Sequence, residues 1–211
     1  MPRWHRRPPS CRGAPDVDPV TLEGSAVLLE PLRLEDVPAL NEAAADGELW
    51  KLTVTTVPSA DGMAAWVEAA LAAQAAGHEL PFTIRDAART RVLGSTRYRA
   101  ISTAHKRLEI GNTWLRASAQ RTAANTECKL LLLAHAFDVL GCNRVEFVTD
   151  VLNDASRAAI LRLGATEEGI LRSHMVMPDG RERDSVIYSL VWEDWPAAKA
   201  QLQARLARDH A

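Results

Sequence analysis

Residues 120–138, QRTAANTECKLLLLAHAFD, decide the fold: a polar turn with one arginine and no glycine runs straight into a long apolar helix. Leu130, Leu133, Ala134, Phe137 and Leu140 recur at helical spacing, and Leu131 and Leu132 widen the stripe. A helix over 125–140 is therefore predicted to be buried on more than one side. Its first turn offers backbone N–H groups without intrahelical partners at the positive end of the helix dipole, which together attract an anion. Asn125 or Thr126 is the expected cap, with Gln120, Arg121 and Thr122 as donors just upstream. The same spacing also fits a plainer role, a capped core helix with a solvated arginine. Ala123 and Ala124 stand where close approach to a phosphate would favour glycine, and alanine permits it if φ stays negative.

Outward from this helix, the chain alternates in a regular way. Downstream come a strand NRVEFVTD (143–150), a helix over 153–163 capped by Asn153 or Asp154 and stopped at Gly164, and strands over 166–176 and 185–192 joined by the PDG turn at 178–180. A helix over 193–207 ends the pattern. Upstream, AVLLEPLRL (26–34) reads as a strand, followed by a helix from Glu35 to near Gly47 and another capped by Ser59 or Asp61 and ending at Gly77. Trp66, Val67, Ala70 and Leu71 form the apolar face of that second helix. Three strand candidates, PFTIRD, RVLGSTRYRAIS and KRLEIGNTWLR, then follow at hairpin spacing as an antiparallel meander. One mixed α/β domain is predicted over 21–211. Residues 1–20 are rich in proline and arginine, with Arg3, Arg6, Arg7 and Arg12, and lack apolar periodicity; a disordered basic arm is expected there.

Composition narrows the partners. A formal charge of −2 over 211 residues argues against a general nucleic-acid binder. Three cysteines, Cys11, Cys128 and Cys142, form no CxxC pair and favour a reducing compartment. The first residues lack the apolar core of a secretory signal, and no uncharged apolar run approaches the ~20 residues of a membrane span. A cytoplasmic, soluble protein is expected. Six histidines show no metal-ligand spacing, so no metal is predicted. No GxGxxG follows a strand, which disfavours a dinucleotide-binding domain.

The order of elements, together with RLEIGNTWL, QRTAANTECKLLLLAHAFD, RVEFVTDVLNDASRAAILRLGA and EGILRSHMVMPDGRERDSVIYSLVWEDWP, resembles the GCN5-related N-acetyltransferase (GNAT) superfamily. Within it the chain looks most like the ribosomal-protein N-terminal acetyltransferase-like branch. The resemblance implies an α/β (α+β) fold: a mixed, mostly antiparallel sheet of about seven strands, helices on both faces, and a splay between the fourth and fifth strands. It also implies acetyl-CoA as co-substrate, its pyrophosphate held by Gln120, Arg121, Thr122, Ala123, Ala124, Asn125 and Thr126. The family's loop pattern carries a glycine where Ala123 stands. The pantetheine arm would enter the splay beside a bulge at Gly111 and Asn112, bordered by Trp114 and Leu115.

Acetyl transfer requires a neutral amine, a polarised thioester carbonyl and a proton for the departing thiolate. By resemblance Glu109 is the base, acting directly or through water; strand alternation sets it opposite Leu108 and Ile110. Asn153 and Ser156 match the branch's Asn-x-x-Ser pattern near the cofactor arm, making Ser156 the candidate acid, with Arg157 facing cofactor phosphates and Tyr188 as the alternative acid. Trp50, Thr53, Thr55 and His174 are expected to shape the amine pocket, whereas His135 is expected to be structural. The implied activity is N-acetyl transfer to a protein N-terminus or small amine in a ternary complex without a covalent enzyme intermediate. A non-catalytic acyl-CoA sensor is the alternative. An exposed strand or the C-terminal helix offers a surface for a homodimer.

Overall fold

The computed structural model describes residues 17–209. One sheet is built from β1 (Leu22–Glu23), β2 (Val27–Pro31), β3 (Leu80–Asp86), β4 (Val92–Ser102), β5 (Arg107–Leu115), β6 (Arg144–Asp150), β7 (Thr166–Val176) and β8 (Glu182–Val191). The helices are α1 (Val37–Ala45), α2 (Ala60–Ala75), α3 (Ala123–Ala134), α4 (Asp154–Leu161) and α5 (Trp195–Asp209). The strands lie in the order β1-β2-β3-β4-β5-β6-β8-β7, antiparallel throughout except for the parallel pair β5 and β6. The short β1, paired through Leu22 with Leu29, raises the expected seven strands to eight. Two residues carry too little periodicity to be legible as a strand.

Strand alternation divides the core between the two faces of the sheet. Leu108, Ile110, Leu115, Val145, Phe147, Tyr188 and Leu190 pack with α3 and α5 and with Ile160 of α4. On the other face, Val92 and Trp114 pack with Leu40, Met63 and Val67 from α1 and α2. Val17 and Val20 also lie against the α3-face core, so packing begins before the predicted boundary at residue 21. Arg3, Arg6, Arg7, Cys11 and Arg12 lie outside the described residues.

The apolar run of α3 behaves as its spacing predicts: Leu132 and Leu133 are fully buried, each contributing roughly 1.5–3 kcal/mol. The helix does not continue in α form to residue 140. At His135–Val139 it widens into a π turn. Here the Tyr98 hydroxyl donates to the Leu132 carbonyl (2.6 Å) and His135 stacks on the Tyr98 ring at 5.9 Å. His135 is thus a core residue, and burial lowers its pKa. The α5 helix docks on this end of α3. Trp195 is buried, stacks on Phe137 at 5.4 Å, and donates its indole N–H to Asp138 (2.7 Å).

Candidate active site

The parallel ladder between β5 and β6 is short. It joins Arg107, Leu108 and Glu109 to Arg144, Val145 and Glu146 and stops, although β5 runs on to Leu115 and β6 to Asp150. Beyond Glu109 the two strands part, and the backbone groups facing the gap have no ladder partner across it. This is the predicted splay. Just past its start, β5 carries an extra residue: Ser95 pairs with Trp114 and Arg97 with Gly111, and Asn112 between them has φ +48°. The bulge inverts the alternation, so odd-numbered Glu109 and even-numbered Trp114 lie on the same face. Gly111 is needed for space, since a Cβ there would stand 2.6 Å from Glu109 Oε1 and 2.8 Å from Arg99 Cδ.

Glu109 has a side chain only 12% exposed, with Arg99 Nη1 3.8 Å from its Oε1. Burial raises its pKa above the ordinary glutamate value; Arg99 pulls it down and Glu146 pushes it up. A carboxyl so placed binds a proton more readily than one in water, as a base must. Arg97, 5% exposed, lies 4.4 Å above the Trp66 ring and donates to Glu79 (2.7 Å). Arg183 also acts on Glu109, and Arg181 pairs with Asp150. This polar cluster, on β4, β6, β8 and the residues just before β3 and β8, was missed in the sequence, although the Arg-x-Arg alternation of Arg97 and Arg99 marks a charged strand face.

The turn before α3 is built differently from expectation. The cap is Thr122, whose hydroxyl oxygen accepts from the Ala124 N–H at 3.2 Å, and the helix starts at Ala123. Asn125 and Thr126 therefore sit inside the first turn and do not cap it. The left-handed residue is Arg121 (φ +59°), with Ala123 and Ala124 at negative φ in the helix. Alanine thus meets no steric objection there, because the chain reverses two residues earlier than the glycine pattern suggests. Gln120 donates to the Leu115 carbonyl (2.9 Å), while the Arg121 side chain is exposed.

Glu127 fixes this helix end. Its carboxylate accepts from Ser25 N–H (2.8 Å), Ser25 Oγ (2.7 Å), Ala26 N–H (2.6 Å) and Val27 N–H (2.8 Å). Burial raises its pKa, but the Ser25 hydroxyl and those backbone donors outweigh it and hold the carboxyl below the ordinary value.

After β6, Asn153, one of the two expected caps, caps α4 by accepting from Ser156 N–H (3.0 Å), and Asp154 is the first residue of the helix. Ser156 is half-buried in the first turn. The Arg157 guanidinium donates to the Tyr188 hydroxyl (3.1 Å) and lies 3.6 Å from Glu167, so internal partners already engage it. Tyr188 is buried on the α3 face, and burial raises its pKa. The two residues expected to border a cofactor arm part company: Trp114 packs toward α1 and α2, Leu115 toward α3. Trp114 edges against Trp66 at 6.4 Å and buries its indole N–H without a partner. Trp50 packs against the α1–α2 cluster, Thr55 donates to the Leu52 carbonyl, and the Thr53 carbonyl accepts from Arg181 (3.1 Å). His174 is exposed on β7, with β8 and β6 between it and β5. Among the described residues no group of His, Cys, Asp and Glu is arranged to hold a metal ion, and no helix is long and apolar enough to cross a membrane.

Residues 26–166 match the Acetyltransferase (GNAT) domain family. The chain belongs to the GNAT acetyltransferase family. A GCN5-related N-acetyltransferase from Brucella melitensis is similar to this GNAT chain at 32% identity, covering 91% of it and 87% of its own length with a TM-score of 0.80. RimJ of Mycobacterium smegmatis, solved in complex with CoA-disulfide, shares the fold at 24% identity and a TM-score of 0.72, over 89% of this chain and 93% of its own. The Bacillus subtilis (strain 168) protein named Uncharacterized N-acetyltransferase YoaA is 29% identical over 100 residues, 47% of this chain and 55% of its own. The chain spans about half the length of the curated relatives it matches.

Proposed function

We propose that this GNAT chain transfers the acetyl group of acetyl-CoA to a primary amine by direct attack in a ternary complex. The observation that carries this reading is the parting of β5 and β6 beside Glu109: an open strand gap, a buried carboxyl with a raised pKa at its start, and α3 packed over one face. Acetyl-CoA would lay its pyrophosphate on the backbone amides at the start of α3, within the turn from Gln120 to Thr126, and thread its pantetheine arm into the gap between β5 and β6. Glu109 would take the proton of the attacking amine, directly or through water. Ser156, at the start of α4, would hydrogen-bond the cofactor sulfur. The acceptor is a protein N-terminus or a small-molecule amine, reached from the face that holds Trp50, Thr53 and the arginines around Glu109.

Calorimetric titration with acetyl-CoA, followed by free-thiol release assayed over N-terminal peptides, amino acids and polyamines, tests the reading. Binding with turnover on at least one amine is expected. No acetyl-CoA binding would refute it, and binding without transfer to any amine would leave a sensor. The double variant Arg121→Ala with Asn125→Ala is expected to weaken acetyl-CoA about tenfold, equivalent to ~1.4 kcal/mol. Unchanged affinity would return the turn to a capped core helix.

The edge strand β7 exposes Ile170, Leu171, Met175 and Val176 along an unpaired ladder. An edge of this kind favours pairing with a second copy of the chain. A homodimer mass in light scattering, lost on Ile170→Lys with Val176→Lys, is the expected outcome.

A further inference from the structure

Lys129 lies on α3 and is 7% exposed. Its ammonium reaches toward the sheet where the ladder has just ended: Nζ donates to Thr113 Oγ1 on β5 (2.7 Å) and lies 5.9 Å from the Phe147 ring centroid on β6. Thr113 is the residue after the Asn112 bulge, and Phe147 is the residue after Glu146, the last position of β6 paired with β5. The amine therefore bridges the opening of the strand gap from the α3 face, and Glu109 flanks the same opening from the opposite face. The Thr113 and Thr96 hydroxyls share a further hydrogen bond at 2.7 Å. Lys129 makes no ion pair among the described residues. A buried ammonium with one neutral hydrogen-bond acceptor for three N–H groups is costly.

We propose that Lys129 is the proton donor to the departing coenzyme A thiolate. The proposal rests on the gap being the acyl-CoA site and deepens that reading. A thioester threaded between the strands would meet Glu109 on one face and Lys129 on the other. Amine attack on the carbonyl carbon gives a tetrahedral intermediate, whose nitrogen loses its proton to Glu109 or to water held by it. The C–S bond then breaks and its electron pair stays on sulfur. Sulfur takes one N–H proton from Lys129, leaving a neutral amine that regains a proton from solvent when the thiol departs. A serine hydroxyl such as Ser156 stabilises a thiolate by hydrogen bonding but is a poor net proton source near neutral pH. Burial lowers the Lys129 pKa to about 8, close to that of a thiol, which suits it to this transfer. Its titratable neighbour is the Cys128 thiol, raised by burial to about 11 and therefore neutral. Thr113 and Phe147 carry no charge.

The test is Lys129→Met, which keeps the length and removes the proton, beside Lys129→Arg, which keeps the charge but does not release it. For the wild type, kcat is expected to fall as pH rises through about 8, where the donor loses its proton. Both variants are expected to bind acetyl-CoA within about threefold of wild type, to lose about 10²-fold in kcat, and to lack that alkaline limb. Full activity in Lys129→Arg would overturn proton transfer. So would a loss confined to acetyl-CoA affinity in Lys129→Met, or a wild-type profile without the limb, which reads the proposal even if a variant fails to fold. Absence of acetyl-CoA binding in the wild type would instead sink the functional reading on which the proposal rests.

Discussion

Glu109→Gln is expected to lower amine acetylation about 10³-fold while leaving acetyl-CoA affinity within a few-fold of wild type. Glutamine keeps the volume beside Gly111 and leaves the Arg99 hydrogen bond to Asn112 in place, so the bulge and the gap survive. What it lacks is a site for the amine's proton. The acid limb of the wild-type kcat profile should lie above the ordinary glutamate range, because burial raises the Glu109 pKa and a base acts only when deprotonated. That limb should vanish in the variant. The stability effect has the opposite sign: a carboxyl whose folded pKa is raised is less favourable ionised in the fold than in the unfolded chain, so wild-type stability increases as pH falls through that pKa. Glu109→Gln should therefore melt higher than wild type at pH 7. A turnover rate within threefold of wild type would exclude Glu109 as the base.

Glu127→Gln is expected to cost about 3 kcal/mol of folding stability, because an amide NH2 would face donors that a carboxylate now satisfies. Ser25 N–H, Ala26 N–H, Val27 N–H and the Ser25 hydroxyl all converge on this one side chain. Gly24 packs against the carboxylate so closely that a Cβ would stand 2.5 Å from it. Urea denaturation measures the difference. The folded pKa is held below its ordinary value, so the contribution is present in full above the unfolded pKa and is lost as pH falls through the folded one. The gap between wild type and variant should narrow in acid. Since the same carboxylate ties the first turns of α3 to the start of β2, acetyl-CoA affinity should fall as well. A variant that denatures with wild type would show that this clamp is dispensable.

Local rules carried the sequence a long way. Glycine within EIGNTWL marked the bulge, Asn153 marked the start of α4, and the leucines of 130–133 marked a helix buried deeply enough to hold its N-terminus still. Each follows from neighbours a few residues apart. The cap of α3 was misplaced because Thr122 and Asn125 are both competent caps, and only the left-handed turn at Arg121 chooses between them. The apolar helix continued past its true α end because hydrophobic spacing does not register a π turn, whereas the bond from Tyr98 to Leu132 does.

By itself, then, the sequence determined the order and type of most elements, the buried helix after a polar turn, and the bulged strand bearing a carboxyl, since these are encoded in periodicity, caps and breakers within single segments. Tertiary structure alone decided what surrounds that carboxyl. The point at which the β5–β6 ladder stops, the arginines beside Glu109, the clamp from Glu127 to β2, and the Lys129 ammonium against Thr113 each join different segments of the chain. Burial and charge at those points depend on which distant side chains meet, and that follows from packing the whole sheet.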